Sequence, residues 1–281
     1  MKTIKNQSFD NERALYESKD LLVINCRFEG EADGESALKE SKNIEAKDCY
    51  FNLRYPFWHD EGVKITECEM TSLCRAPIWY TKDIEIESCK VDSVKALREC
   101  ENISIKGTVV NSSEFGWDCK NIKATNSSFS CEYFMARSKN LSFDNIKMSG
   151  KYSFQYIEDS VFDNCNFDTK DAFWHAKNVT VKNSIIKGEY LGWYCENVTL
   201  ENCTIIGTQP LCYCKGLNLI NCKMVDCDLS FERSEVEATV NSSIDSIKNP
   251  KRGFIKALSV GEIIQDYPEF DCKIDTGCGV L

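Results

Sequence analysis

The chain's two histidines each stand in a Phe-Trp-His tripeptide, PFWHD at residues 56–60 and AFWHA at residues 172–176. Side chains able to handle protons or hydroxyl groups recur at that same place along the chain: Glu17, Glu40, His59, Tyr80, Glu99, Asp118, Arg137, Tyr156, His175, Tyr194, Tyr213 and Glu232. One residue earlier runs a second series that includes Lys39, Trp58, Trp79, Arg98, Trp117, Trp174 and Trp193. Carboxylates and imidazoles act as acids and bases and aromatic faces hold pyranose rings, so this mixture points to an extended sugar chain. Glu40, His59, Arg98, Glu99 and Asp118 are the candidate catalytic residues, and Lys39, Arg54, Trp58, Arg75, Trp79 and Tyr80 the candidate substrate contacts. On stacked strands the backbones of Glu99 and Asp118 would lie about 4.8 Å apart, near the roughly 5 Å carboxyl separation of a retaining glycosidase. Any stacked pair shares that spacing. The same series also reads as a solvated face held by ion pairs such as Asp118 with Arg137 and Glu40 with His59.

Other chemistry has less to stand on. The acidic insertion EGEADGES, residues 29–36, supplies Glu29, Glu31, Asp33 and Glu35, a set suited to a hard cation but without EF-hand spacing. There is no C-x-x-C pair, and Cys212 and Cys214 alone make no zinc site. No Ser-His-Asp arrangement, P-loop or dinucleotide glycine pattern is present. No metal or cofactor is expected.

What must position these residues is a repeat. Segments such as KNIEAKDCYF from Lys42, KDIEIESCKV from Lys82, ENISIKGTVV from Glu101, KNVTVKNSII from Lys177 and ENVTLENCTI from Glu196 return at intervals of about 19 residues. Within each, apolar residues alternate, as in Ile44 and Ala46 or Val179 and Val181, which specifies a strand with one inward face. A column of Cys26, Cys49, Cys68, Cys89, Thr108, Ser127, Ile146, Cys165, Ser184, Cys203 and Cys222 follows, and two residues later a column of large apolar side chains. A third strand fits the closing segments, such as PFWHD and PIWYT. Its alternation would send the Trp and His series to opposite faces, the His series to solvent.

Three short strands per unit, without a helical heptad or a leucine-rich-repeat asparagine, specify an all-β, right-handed, single-stranded parallel β-helix of about twelve coils with capped ends. A fivefold or sixfold sub-repeat, as in pentapeptide or hexapeptide helices, is missing. Residues 1–18 read as the N-terminal cap and first partial coil, 19–250 as repeat coils and 251–281 as the C-terminal cap, all in one domain. His59 and His175, six repeats apart, would then be roughly 29 Å from each other at about 4.8 Å per coil. They cannot share a proton relay, and PFWHD, beside Glu40 and the acidic insertion, is the better functional candidate.

The runs ADGESALKES, LRYPFWH, ALREC, EFGW, YFM, YSFQY, DAFWH, YLGWYC and GTQPLCYC recur in an order that resembles an uncharacterised bacterial family, domain of unknown function 3737, within the pectate-lyase-like superfold. The resemblance implies a β-helix and brings no catalytic residues with it.

Composition narrows the partners. A formal charge of −10 disfavours nucleic acid and anionic membrane, whose binding needs basic surface. No apolar run is long enough to span a bilayer and the N-terminus lacks a signal-peptide pattern, so the expected location is the cytoplasm. There the 17 cysteines would be reduced and pack as small apolar groups. An oligosaccharide or a protein is the expected partner. Whether the protein is an enzyme or a noncatalytic scaffold stays open at this level.

Overall fold

The computed structural model describes residues 1–31 and 34–277. The fold is an all-β parallel solenoid of about 14 turns of about 19 residues, with no helix among the described residues. Contacts divide the chain into two compact units, Met1–Ser142 and Phe143–Leu281.

In the first unit, strand Lys42–Lys47 pairs in parallel with Glu61–Thr66, which pairs with Lys82–Glu87, which pairs with Glu101–Lys106. The register sets Ile44 beside Val63, Val63 beside Ile84 and Ile84 beside Ile103, so equivalent residues stack in one interior ladder. In the second unit Glu158–Asp163, Lys177–Lys182 and Glu196–Glu201 repeat the arrangement, with Ser160, Val179 and Val198 in one row. Aromatic ladders fill the cores: Phe28 stacks on Phe51 at 4.8 Å in the first unit, and Phe154 on Phe173 at 4.8 Å in the second.

The Lys-Asn-Ile triplet has a backbone reason. Its second residue is left-handed in unit after unit, with φ of 53° at Asn43, 72° at Gly62, 55° at Asp83 and 58° at Asn102. Asn, Asp and Gly tolerate that region best, which selects them there. Their amides then bond along the outside: Asn102 Nδ2 donates to Asp83 Oδ1 at 2.8 Å and Asn121 Nδ2 to Asn102 Oδ1 at 2.9 Å.

The cysteine column does more than fill space. From Cys49 to Ser127 each bend leaves a backbone N–H without a strand partner, and the side chain of the next coil accepts it. Cys49 N–H donates to Cys68 Sγ at 3.3 Å, Cys68 N–H to Cys89 Sγ at 3.4 Å, Cys89 N–H to Thr108 Oγ1 at 3.3 Å and Thr108 N–H to Ser127 Oγ at 3.1 Å. Cys, Ser and Thr interchange because each is small and carries an acceptor. A second column of this kind, at the bend after the Phe-Trp-His position, comprises Ser41, Asp60, Thr81, Cys100, Cys119 and Ser138 in the first unit.

The expected third strand is reduced to the two-residue pairs Phe57–Trp58, Ile78–Trp79 and Leu97–Arg98. It stops because the next residue is left-handed, with φ of 58° at His59, 57° at Tyr80 and 50° at Glu99. This corrects the expectation that the two series point to opposite faces: the left-handed residue resets the alternation. Phe57 and Asp60 point inward, while Trp58 is half-buried and His59 exposed on the same edge, their rings 6.4 Å apart.

Toward the C-terminus, Glu235–Val240, Arg252–Ala257 and Asp271–Thr276 continue the parallel pairing, and Ser243–Lys248 pairs with Ser259–Ile264. The closing segment thus adds turns, with Ile274 beside Ile255. Residues 278–281 lie outside the described residues.

Candidate functional site

In the first unit the structure brings most of the candidate residues into two neighbouring groups on one edge. The Tyr16 hydroxyl donates to Glu40 Oε2 at 2.7 Å and Lys39 Nζ lies 3.7 Å from Glu40, contacts that hold the Glu40 carboxyl below its usual range, the Tyr16 bond first. His59 stacks on Tyr80 at 4.8 Å, and Trp58 on Trp79 at 5.2 Å. The Arg98 guanidinium lies over the rings of Trp79 and Trp117, at 5.2 and 5.5 Å, with Nε 3.5 Å from Glu99 and without a hydrogen-bond partner. Asp118 accepts from Arg137 Nε at 2.9 Å. Each candidate carboxylate therefore has a cation or hydroxyl against it. The indole N–H groups are also taken, Trp58 by Ala76 O and Trp79 by Lys95 O, both at 2.7 Å.

Other candidates sit apart from that edge's chemistry. Arg54 pairs with Glu35 at 3.2 Å and lies over Tyr55, and Arg75 is exposed in the turn after Cys74. In the acidic insertion Glu29 is bonded by Arg27, and Asp33 lies outside the described residues. No three metal-binding side chains group together among the described residues.

The second unit holds a longer array. Tyr156 stacks on His175 at 4.8 Å, His175 on Tyr194 at 5.0 Å and Tyr194 on Tyr213 at 4.9 Å, with ring planes within 7°, 8° and 14° of parallel. All four residues are left-handed, with φ between 56° and 61°, and each donates its backbone N–H to a carbonyl of the next coil. The pitch of the row is therefore that of the backbone bonds between successive coils. Tyr156 is 52% and Tyr194 43% exposed. Beside the row Trp174 stacks on Trp193 at 5.4 Å, and their N–H groups are spent on Tyr190 O and Gln209 O. The hydroxyls of Tyr156, Tyr194 and Tyr213 and the imidazole of His175 have no hydrogen-bond partner among the described residues.

A family model described as "Protein of unknown function (DUF3737)" matches residues 2–275. The chain belongs to this family. No curated protein matches the sequence. Among solved structures, this DUF3737 protein is similar to the A-module of mannuronan C-5 epimerase AlgE4 of Azotobacter vinelandii, at 12% identity and a TM-score of 0.41, covering 85% of this chain and 89% of that one. An alginate lyase from Paenibacillus sp. strain FPU-7 is similar at 6% identity and a TM-score of 0.35, covering 84% and 99%. The catalytic domain of a GH87 α-1,3-glucanase is similar at 12% identity and a TM-score of 0.30, covering 99% and 64%. These likenesses are of solenoid architecture, and no site residue is carried across from them.

Chemically, the stacked rings of the DUF3737 protein offer edges. Rings stacked at one-coil spacing cover one another's faces, so a ligand meets hydroxyls and imidazole nitrogens along the row. The sequence places Tyr156, His175, Tyr194 and Tyr213 in one series in four consecutive units, but the preference for PFWHD draws attention to the first unit and away from this row. It also missed Asp60, the one carboxylate in a column of Ser, Thr and Cys. Asp60 is 2% exposed, its Oδ2 has no partner, and burial, chiefly, pushes its carboxyl up to about 8.

Proposed function

We propose that the protein binds an extended glycan along the row Tyr156, His175, Tyr194 and Tyr213, through the polar edges of the stacked rings and without chemistry on the sugar. The observation that carries this reading is an evenly spaced stack of four rings, 4.8 to 5.0 Å apart, whose polar atoms make no hydrogen bond among the described residues. Phenol hydroxyls and imidazole nitrogens both donate and accept, as sugar hydroxyls do, and partly buried rings hold them in place at little entropic cost. The noncatalytic part rests on the make-up of the row, whose four residues Tyr156, His175, Tyr194 and Tyr213 include no carboxylate to serve as acid or nucleophile.

Isothermal titration against a panel of oligosaccharides, with mass spectrometry of the recovered sugars, tests it. Binding with the sugars returned unaltered is expected. Absence of binding to every glycan, with a specific protein recovered by pull-down, would replace this reading with that of a protein scaffold, and turnover of a bound sugar would overturn the noncatalytic part.

A further inference from the structure

Resting on that reading of the row, we infer that its ligand is a linear, fully extended chain of equatorially linked pyranoses, laid along the stacking direction with one sugar residue per rung and at least four residues long.

The pitch decides the class. The spacings of 4.8, 5.0 and 4.9 Å are nearly equal, and neighbouring ring planes lie within 14° of parallel, so the four rungs follow one another at an even pitch. Backbone bonds set that pitch: Tyr156 N–H to Trp174 O at 2.8 Å, His175 N–H to Trp193 O at 2.9 Å, Tyr194 N–H to Cys212 O at 3.0 Å and Tyr213 N–H to Glu232 O at 2.7 Å. A ligand cannot stretch it without breaking these coil-to-coil backbone bonds. A chain that meets every rung must itself be straight and advance by one rung per residue, and an equatorially linked pyranose advances by nearly that length. An α-1,4-linked glucose chain, joined axial to equatorial, coils and leaves the row after about two residues. Each rung in register adds at least one hydrogen bond, which corresponds to about two- to tenfold in affinity per sugar residue.

The test is titration of the full chain with β-1,4-linked oligomers of glucose, N-acetylglucosamine and mannose, two to six residues long, beside α-1,4-linked glucose oligomers of equal lengths. At least one β series should bind more tightly with each residue up to four and level off beyond, while the α series gains nothing past two. Tyr156→Ala, at the exposed end of the row, should move the plateau from four residues to three, with circular dichroism confirming the fold. An α series that binds as well, affinity independent of length, or a plateau unmoved in the folded variant would overturn the inference. Failure of all these series while another glycan binds also overturns it and leaves the glycan-binding reading standing; failure of every glycan removes that reading itself.

Discussion

Asp60 Oδ1 accepts the backbone N–H of Ser41 at 2.8 Å, while Asp60 Oδ2, sealed in the same interior corner, has no hydrogen-bond partner. At Thr81, Cys119 and Ser138 a hydroxyl or thiol does this work; here a carboxyl does, with the Cys100 thiol and Glu40 carboxylate as further electrostatic neighbours.

Its pKa of about 8 in the fold, against roughly 4 in an unfolded chain, means the native state holds the proton more tightly. The associated stability is fully present below about pH 4 and is lost as pH rises toward 8, at on the order of 1.4 kcal/mol per pH unit within that window. Asp60→Ser keeps an acceptor and removes the titration. The stability difference between variant and wild type, from urea unfolding at pH 5, 6, 7 and 8, should grow in the variant's favour with pH. Parallel pH profiles would contradict this.

Trp193→Phe should cost about 1 kcal/mol, because the ring stack survives while Gln209 O loses the indole N–H it accepts at 2.8 Å. Trp193→Ala, which also removes the stack on Trp174, should cost about 2–4 kcal/mol. Thermal unfolding followed by far-UV circular dichroism measures both. A Phe variant as stable as wild type would show that the indole bond contributes nothing.

The solenoid and the inward identity of Ile44, Val63, Ile84 and Ile103 were legible because strand burial has period two and the unit returns at about 19 residues. The edge geometry was not, since period-two reasoning presumes extended backbone. A left-handed Asn43 or Asp83 announces itself by residue type; a left-handed His59, Tyr80 or Tyr194 does not. Period-two reasoning therefore sends the Trp and His series to opposite faces. The choice of PFWHD over AFWHA weighed nearby carboxylates, and sequence does not reveal that Glu40 is taken by Tyr16 and Lys39.

The interior thiols should be silent in the folded protein. All the described cysteines are free; each is buried except the half-buried Cys272, and burial pushes Cys165 up to about 11 and Cys131 up to about 12. Iodoacetamide labelling read by peptide mass spectrometry should modify Cys272 alone among the described residues until denaturant is added. Rapid native labelling of Cys49, Cys68 or Cys89 would contradict the closed column.

Gly188→Ala should destabilise by at least about 2 kcal/mol, since its φ is +148° and a Cβ would fall 2.2 Å from Thr169 O, a backbone atom of the preceding coil. Gly277→Ala, where no atom of the described residues lies within 4 Å of the added Cβ, should be neutral. Equal unfolding midpoints for the two variants would argue against the close coil stacking at residue 188.

The central claim is that ring edges, and not ring faces, bind the sugar. Tyr156→Phe combined with Tyr194→Phe keeps both stacks on His175 and deletes two outward hydroxyls. Titration with the tightest-binding oligosaccharide should show affinity lowered about 5- to 100-fold at an unchanged melting temperature, two hydrogen bonds being worth about 1–3 kcal/mol together. Affinity equal to wild type in that variant would contradict the account.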